Sequence, residues 1–589
     1  MLQSSSGSGA ARKHGGDRDL IDWRFGGFMT SLCSRSLAAM VVVIAFAACK
    51  KEGVGGAVEG PPADVRSDRV PGGSAKLAMP AVLAYVPADT PYLIAGIEAL
   101  PPDVLAKLKR LYGSLASLLT AGWQRERERS KVFDAVLSEL DGKWSEAGME
   151  SLGFSTQPRF AAYGLGLQPF VVRVAVKDHK AVLATIERVA ARAGEPLPAM
   201  SSKEGRGYWR YDNGGGVSLV LALADNQLVF AVGKTADVDA KLGLILGVDK
   251  PPRSMADGAV LRQLMARHGL SGQLLALADS QQMIRQGLAA ANASPSPTCK
   301  GELERLSTKL PRVVFGYREL SAARISSALV LELAPDAVGE LRSTKSEIPG
   351  LAAALAPHPM MAFAAGVDLP RAQQLAVAMV RAVKQLGLAC DLDPLVNGAL
   401  RAAVALGRPL PEPIGQISGG VMVIDNLVFK PAGTGKPAFE RLDGILMISS
   451  PDARALFRKA IELEPQIGQL GVTADGRLHP VTSPVPLPSP IAAGVGGRTI
   501  VVTLGDQRSA LGAQILTAQP GGKAPLFALS YDVSKLMDLV TERGAMESEA
   551  SDPGMMAFMQ QFKGAFGQVA ATVDVTDQGL ALSTTLELK

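Results

Sequence analysis

Residues 87–98 read PADTPYLIAGIE, residues 357–368 read PHPMMAFAAGVD, and these two stretches decide the predicted fold. In each, a proline opens the segment, an apolar strand follows, and a glycine, an aliphatic residue and an acidic residue close it. A helical pattern comes after each stretch, at 101–121 and at 370–386. One structural unit is therefore predicted to occur twice. The matching positions are Pro87 with Pro357, Gly96 with Gly366, Ile97 with Val367, and Glu98 with Asp368.

The same order of predicted elements continues after both stretches. Each half has a strand and a capped helix, then a hairpin, then a strand that leads into a helix capped by an aspartate. Asp178 and Ser450 are the predicted caps of the next helix in each half, and Pro451 is the predicted first residue of that helix in the second half. The first half has strand 170–176, helix 179–193, hairpin 218–232 and strand 273–278. The second half has strand 444–449, a helix that ends near Gly468, hairpin 491–504 and strand 526–531.

Each half closes with an alternating hairpin, 312–333 in the first and 568–588 in the second. The last strands end in LVLEL (329–333) and TTLEL (584–588). Period-two alternation predicts largely antiparallel sheets with helices on one face. We therefore predict an α+β fold with two similar tandem domains, residues 79–345 and 346–589, that arose by internal duplication. The alternative is that the shared order is a pattern of elements common to α+β proteins in general.

The closing strands also predict where the two halves meet. Alternating leucines and isoleucines lie on one side of each strand, and such a face has to be covered by helices or by the other half. A doubled unit can bury these faces against its copy, so a ligand site is expected at the junction. The alternating residues are Ile325, Leu329, Leu331 and Leu333 in the first half, and Leu580, Leu582, Leu586 and Leu588 in the second.

Composition bounds the class of protein. The chain has 589 residues, a net charge of +5 and 47% apolar residues. This small excess of charge does not indicate nucleic-acid binding, and the apolar content is sufficient for a large core. Only one apolar stretch, near the N-terminus, is long enough to interact with a membrane. A polytopic membrane protein needs several such stretches and is therefore excluded.

That stretch is residues 37–48, LAAMVVVIAFAA, which Arg35 precedes and Cys49 follows. It has the length of a signal-peptide core. The small residues before Cys49 resemble the lipobox of bacterial lipoproteins, although Phe46 stands where the family usually has an aliphatic residue. The resemblance implies that residues 1–48 are an N-terminal extension and signal peptide, with translation starting at Met1 or Met29, and that Cys49 carries lipid. An uncleaved anchor helix and an ordinary secretory signal are the alternatives.

The lipoprotein resemblance implies a location. The membrane partner is bound through the lipid on Cys49, and Lys50, rather than aspartate, comes next. In lipoproteins of two-membrane bacteria this favours the outer membrane, with the protein facing the periplasm or the cell surface. Residues 49–78 are rich in glycine, proline and charge, so they are predicted to form a flexible tether.

Two cysteines lie in the body of the chain, Cys299 and Cys390. An exported protein enters an oxidising compartment, which predicts a disulfide between them. Two free buried thiols are the alternative.

Residues suited to catalysis or metal binding do not form a known motif. The histidines outside the N-terminal extension have no HxxxH or HExxH spacing, and no GxSxG motif occurs. The loop KPAGTGK (430–436) lacks the first glycine of a phosphate loop, and Pro437 replaces its serine or threonine. We therefore predict no catalytic residue, no metal ligand and no cofactor, and no nucleic-acid partner.

An apolar stripe near the C-terminus is the remaining candidate surface. Its members recur at i, i+3, i+4 and i+7, which is typical of one face of a helix. Methionines favour an adaptable binding surface, and an ordinary core face is the alternative. The stripe consists of Met555, Phe558, Met559 and Phe562.

The body also resembles large uncharacterised bacterial envelope lipoproteins. The resemblance rests on VPADTP (86–91), PRVVFGY (311–317) and the cysteine that precedes the latter, and it implies no activity. We expect a non-enzymatic, lipid-anchored envelope protein that binds an apolar ligand or an envelope partner. The alternative is a periplasmic hydrolase whose site forms only in three dimensions, which would require a Ser–His contact or paired carboxylates.

Overall fold

A computed structural model of the chain supplies the architecture. It describes residues 79–107, 127–128, 130–143, 145–257, 259–290, 295–355, 359–430, 438–481, 489–519, 521–539, 560 and 562–589. The predicted signal peptide, the tether and Cys49 lie outside these residues.

The first half, residues 79–345, alternates strands with helices, and a short 3-10 helix (Ala81–Tyr85) precedes them. Its strands are β1 (Tyr92–Gly96), β2 (Phe160–Gly164), β3 (Phe170–Ala175), β4 (Ser201–Lys203), β5 (Arg206–Asp212), β6 (Val217–Ala224), β7 (Gln227–Lys234), β8 (Leu275–Asp279), β9 (Arg312–Leu320) and β10 (Arg324–Glu332). Its helices are α1 (Lys131–Leu140), α2 (Glu146–Ser151), α3 (His179–Ala193), α4 (Thr235–Ala240), α5 (Leu242–Leu246), α6 (Ala259–His268), α7 (Ser280–Ala290), α8 (Pro297–Lys309) and α9 (Pro335–Ser343).

The second half, residues 346–589, is built in the same manner. Its strands are β11 (Met361–Ala365), β12 (Gly419–Lys430), β13 (Ala438–Ser449), β14 (Leu478–Pro480), β15 (Ile491–Val495), β16 (Thr499–Leu504), β17 (Phe527–Asp532), β18 (Phe566–Thr576) and β19 (Gly579–Leu588). Its helices are α10 (Leu351–Leu355), α11 (Leu369–Ala389), α12 (Asp393–Leu406), α13 (Glu412–Gly415), α14 (Ala453–Leu463) and α15 (Ser509–Leu516), with 3-10 turns at Pro465–Leu470 and Asp506–Arg508.

These strands form one antiparallel sheet. The order across the first half is β4-β5-β6-β7-β3-β2-β1-β8-β9-β10. It continues as β19-β18-β17-β11-β12-β13-β16-β15-β14. The halves join where β10 pairs with β19, from Arg324 opposite Glu587 to Glu332 opposite Gly579. The predicted α+β class and the antiparallel pairing are confirmed.

Helix caps show how far local sequence decides the element boundaries. Helix α3 has the predicted bounds, because the Asp178 side chain accepts bonds from the Lys180 and Ala181 amides and Gly194 adopts the left-handed conformation at the C-cap. The predicted cap at Ser450 is wrong. The Ser450 amide still bonds to the Arg498 carbonyl beside the strands, and α14 begins two residues beyond Pro451, with Asp452 as its cap.

One face of the sheet, here called the closed face, carries the main cores. In the first half, α4, α5 and α6 pack on it over side chains such as Leu93, Leu277 and Val330. In the second half, α10 and α15 pack over Ala362 and Met447. Both sets of core residues point to the same side of the sheet. Val330 of the first half pairs with Ala581 of β19, and Ala581, a second-half residue, packs in the first-half core.

The opposite face, here called the open face, is partly covered as well. Val182 and Ile186 of α3 pack against Leu228 and Leu221, whose side chains alternate with the closed-face residues. The prediction of helices on one face only is therefore wrong. Strands β6 and β7 are largely apolar on both sides, so the sheet can bury either face there where a connecting helix reaches it.

A charged side chain lies inside the first-half core. Arg173 of β3 is fully buried, and its guanidinium carbon lies 4.1 Å from the centroid of the Tyr85 ring. The guanidinium donates to Tyr163 Oη at 3.1 Å and to Gln227 Oε1 at 3.1 Å. It also donates to the carbonyls of Leu244 and Ile245 in the last turn of α5, where the Leu244 carbonyl accepts the Gly247 amide as well. Arg173 thus fastens α5 to the sheet.

Cys299 of α8 and Cys390 at the end of α11 form the predicted disulfide. A hydrogen bond of 3.1 Å from the Ser296 hydroxyl to the Ala389 carbonyl accompanies it. Because the two cysteines belong to different halves, the bond ties α11 of the second half to α8 of the first.

Candidate functional site

The open face is the candidate site because its side chains are apolar across the junction of the halves. Opposed residues in an antiparallel ladder point to the same side of the sheet, so the registers define a row. One row crosses seven neighbouring strands without a polar side chain. It comprises Ile94, Ala276, Phe315, Leu329, Leu582, Val573 and Phe527.

Side chains in this region remain exposed although they lie in the middle of a wide sheet. Leu329 and Leu582, which face each other across the junction, are each 38% exposed. Ile94 at 40% and Met422 at 39% extend the exposed area to both sides. Adjacent exposed apolar side chains of this kind usually mark a binding surface. Their spread on both sides of the β10–β19 pair centres the candidate site on the junction.

A pair of hydroxyls lies next to the leucines on the same face. Ser327 and Thr584 are opposed in the ladder, and their side-chain oxygens are 2.6 Å apart. A few polar groups in an apolar surface commonly orient a ligand. The junction therefore presents an apolar contact area with one hydrogen-bonding point.

One end of the open face is closed by residues near the C-terminus. Ile325, Val569 and Leu586 pack there with Val533, Phe566 and Leu588. Of the predicted apolar stripe, Met555, Phe558 and Met559 lie outside the described residues. Phe562 belongs to this cluster, with its ring centroid 4.4 Å from that of Phe566. In this position Phe562 lines the end of the open face and packs as a core residue.

A groove of about 600 Å³ lies elsewhere, between α11 and the segment 405–411. The Gln373 amide bridges its walls by donating to the carbonyls of Leu406 and Arg408, each at 2.6 Å. Because these bonds join main chain to side chain within one half, we interpret the groove as a structural joint.

Sequence reasoning missed a buried ion pair at the end of β10. His268 Nε2 lies 2.8 Å from Glu332 Oε1, and nitrogens of Arg267 and Arg312 lie 3.5 and 3.7 Å from the same carboxylate. Burial raises the pKa of Glu332, but the hydrogen bond from His268 and the nearby arginines outweigh it and lower the pKa overall. Within the described residues no serine hydroxyl bonds to His268. The pair fastens α6 to β10.

A second histidine makes contacts of a catalytic kind without catalytic geometry. His479 Nε2 lies 2.8 Å from Thr473 Oγ1 and 2.9 Å from Asp475 Oδ1. A nucleophile–His–acid triad requires the two partners on different ring nitrogens. Here both partners share one nitrogen in an exposed loop. The hydrogen bond from His479 is the main cause that lowers the pKa of Asp475 to about 2.

Two further kinds of site are absent from the described part of the chain. No cluster of three or more histidine, cysteine, aspartate or glutamate side chains there could hold a metal ion. Within the same residues, no helix has both the length and the apolar character that crossing a bilayer requires.

Comparison with known proteins gives no match to this chain among family models, curated proteins or solved structures.

Proposed function

We propose that this protein is a non-enzymatic lipoprotein of the bacterial cell envelope that binds an apolar ligand on its open face. The ligand lies across the β10–β19 junction, with the Ser327–Thr584 hydroxyls beside it. The observation that carries the proposal is the exposure of Leu329 and Leu582 in the middle of the sheet, 38% each. Exposed leucines cost solvation free energy in water, which an apolar ligand would relieve.

The membrane anchor in this proposal is the lipid on Cys49. The apolar core at 37–48, Arg35 before it and Ala47-Ala48 directly before Cys49 support it. Lys50 in the next position favours the outer membrane over the inner one, with the body facing the periplasm or the cell surface. The Cys299–Cys390 disulfide agrees with an oxidising compartment outside the cytoplasm.

An internal duplication is the proposed origin of the two halves. The order of strands from β10 outwards supports it. In the first half the order is β10-β9-β8-β1-β2-β3-β7-β6-β5, and in the second it is β19-β18-β17-β11-β12-β13-β16-β15-β14. These orders agree strand for strand when β4, which pairs only with β5 at the outer edge of the first half, is left out and the remaining strands of each half are numbered in chain order. Such a match in nine strands favours a doubled unit with a pseudo-twofold relation at the β10–β19 pair.

The residue match within the duplicated strand needs a shift of one position. Aligning Gly96 with Gly366 would pair Leu93, a closed-face core residue, with Phe363, whose neighbours in the ladder are the open-face residues Met422 and Leu529. Because successive strand residues point to opposite faces, equivalent residues must differ by an odd shift. Ile94 is then equivalent to Phe363.

The ligand proposal is tested with cis-parinaric acid, a fluorescent fatty acid, titrated into the folded full chain. The double variant Leu329→Asp with Leu582→Asp should bind about sevenfold more weakly, since losing roughly 50 Å² of apolar contact costs about 1.2 kcal/mol. The matched control is Leu306→Asp with Leu463→Asp. These leucines are exposed on α8 and α14 and do not belong to the row of strand residues that defines the site.

Equal affinities for the two double variants would contradict the open face as the site. Circular dichroism of each variant establishes that a loss of affinity is not a loss of folding. A wild-type protein that does not bind the fatty acid would contradict the apolar-ligand proposal itself.

The anchor is tested separately by metabolic labelling with a palmitate analogue. The wild type should be labelled, and Cys49→Ser should not. Equal labelling of both would contradict lipidation at Cys49 and leave the ligand test unaffected.

A further inference from the structure

The helical hairpin of α11 and α12 stands apart from both cores. Only Gly387 of α11 and Ala399 of α12 are buried. Neither helix contributes a residue to the closed-face core of the second half. Most of the hairpin surface is therefore available for contact.

The hairpin is basic in a chain that is nearly neutral overall. Residues 369–408 contain five basic and two acidic residues, and α11 itself contains no acidic residue. In the part of the chain that the structure describes, no acidic side chain forms an ion pair with Arg381, Lys384 or Arg401. These cations are free to attract an external anionic surface.

Long apolar side chains lie among these cations. On α11, Arg381, Lys384 and Leu388 occur at i, i+3 and i+7, which places them on one stripe of the helix. On α12, Leu400 and Val404 occur at i and i+4, with Arg401 beside them. The solvent-facing side of a helix is normally polar. Leu388 and Val404 are instead 60% and 67% exposed. We call these six residues the hairpin patch.

Basic and apolar side chains mixed on one exposed helical surface are typical of helices that lie in a membrane interface. The apolar groups enter the headgroup region, and the lysine and arginine stems keep their charges at its surface. We propose that the hairpin patch docks on the surface of a bilayer that contains anionic phospholipid. This contact is additional to the lipid on Cys49 and does not depend on it, because the patch lies on the folded body.

The experiment uses a fluorescent reporter on the patch itself. In the full chain, Cys33→Ser and Cys49→Ser remove the two other cysteines, and the Cys299–Cys390 disulfide is kept. Leu388→Cys is then labelled with an environment-sensitive nitrobenzoxadiazole dye. The control is the same chain with Met200→Cys, because Met200 is equally exposed, at 59%, but lies before β4 in the other half. Both proteins carry the same N-terminal apolar segment, so any vesicle contact that it makes is common to both.

Vesicles of phosphatidylcholine with 30% phosphatidylglycerol are the probe. The dye at Leu388→Cys should shift to the blue and brighten on these vesicles, whereas the dye at Met200→Cys should not. Pure phosphatidylcholine should give a much smaller response, and 0.5 M salt should weaken the response to anionic vesicles.

A charge-reversal set separates attraction by the patch from attraction by the whole protein. Arg381→Glu, Lys384→Glu and Arg401→Glu together should raise the lipid concentration at half-response about a hundredfold or more, because each basic residue near an anionic surface is worth about a fivefold change. The control is Lys180→Glu, Arg253→Glu and Arg262→Glu, which changes the net charge equally at exposed sites outside the hairpin. It should shift the midpoint only slightly.

Three outcomes would overturn the proposal. The first is a silent dye at Leu388→Cys on anionic vesicles, which would leave the patch to a protein partner. The second is an equal response from the dye at Met200→Cys. The third is an equal effect of the two charge-reversal sets.

Discussion

The two halves have the same order of strands but bury different chemistry in the same place. Under the proposed duplication, β3 corresponds to β13. Arg173 of β3 is paired with Ala161 and Val229. Met447 of β13 has the equivalent neighbours Val421 and Val501. Both side chains are fully buried on the closed face, and one is charged while the other is apolar.

The surroundings explain the difference. The first-half core holds 29 buried residues, and hydroxyl, amide and carbonyl oxygens reach into it around Arg173. The second-half core is smaller, with 12 buried apolar residues. A buried cation is tolerated only where its donors are satisfied, so the first half accepts an arginine and the second does not. Strand order therefore constrains the backbone far more than it constrains the chemistry of the core.

The largest expected effect comes from moving the charge into the apolar core. Met447→Arg should destabilise the folded chain by about 5 kcal/mol or more, because the guanidinium would be buried among apolar side chains such as Val421, Val501 and Ile445. Urea unfolding followed by circular dichroism measures the loss. Met447→Leu is the control and should cost less than about 1.5 kcal/mol. Equal unfolding midpoints for the two variants would contradict the contrast between the cores.

The disulfide is the covalent tie between the halves, and its loss should rank next. Cys299→Ser with Cys390→Ser opens a loop closed by cysteines that are 91 residues apart. The chain-entropy argument gives a loss of about 4–5 kcal/mol in the free energy of unfolding. Unfolding of the variant is compared with that of wild type before and after reduction. If reduction leaves the wild type as stable as before, the bond does not hold the halves together.

Removing the buried arginine should destabilise the first half by about 3 kcal/mol. Arg173→Met gives β3 the residue type found in β13, but it removes the guanidinium donor from Gln227 Oε1 and the Ile245 carbonyl. Arg173→Lys should not restore stability, since an ammonium cannot make the spread of bonds that the guanidinium makes. A variant with wild-type stability in urea would mean that α5 needs no fastening by this side chain.

The glutamates of the LEL endings provide a matched pair. Glu332 is buried beside His268, whereas Glu587 is half-buried and faces Arg324 across the junction. Glu332→Gln should cost about 2 kcal/mol, because it removes a charge-assisted hydrogen bond in a buried site. Glu587→Gln should cost less than about 0.5 kcal/mol. Similar losses from both substitutions would contradict the assignment of a special role to Glu332.

The same pair predicts a pH dependence. The pKa of Glu332 is lowered in the folded protein, so its contribution to stability is present above the pKa of an unfolded glutamate, about 4.3, and is lost as pH falls through the lower folded value. Wild type should therefore lose more stability than Glu332→Gln between pH 5 and more acidic conditions. Identical pH profiles would contradict the lowered pKa.

The smallest expected effect is on the open face. Leu329→Ala and Leu582→Ala should each cost less than about 1 kcal/mol, because both side chains are already partly in water. Val330→Ala, one residue away on the closed face, should cost about 2 kcal/mol, because Val330 is 1% exposed. Equal costs at positions 329 and 330 would mean that the two faces are equally buried.

Much of the local structure could be predicted from residue pattern. Helix α3 has the predicted cap and end, and the hairpin predicted over 218–232 turns at Asp225-Asn226, with positive φ at both residues. The disulfide was predicted from cysteine number and compartment alone. These features depend on interactions between near neighbours or on simple counting, so no knowledge of packing is needed.

The register of the repeated strand could not be predicted. Gly96 and Gly366 look equivalent, yet a Cβ at Gly96 would come within 2.7 Å of Phe160, and one at Gly366 within 2.5 Å of Ala524 Cβ. Phe160 belongs to the open-face side, and Ala524 belongs to the closed-face core. Each glycine is required by a different neighbour. Under the proposed duplication, aligning the two glycines therefore shifts the match by one residue and assigns every side chain of the strand to the wrong face.

The sequence by itself determined the order of the elements that it predicted and the antiparallel class, because periodicity, caps and turn residues act over a few positions, and cysteine number gave the pairing of Cys299 with Cys390. Strands β2, β5 and β12 were not predicted. Only the tertiary structure decided how the halves join. The alternating leucines of the closing strands were expected to be buried face to face, but β10 and β19 pair edge to edge and leave Leu329 and Leu582 exposed. The tertiary structure also brought Arg173 to the carbonyl at the end of α5, and His268 to Glu332. These contacts join residues more than 60 positions apart, and local sequence carries no record of which distant partner will be adjacent.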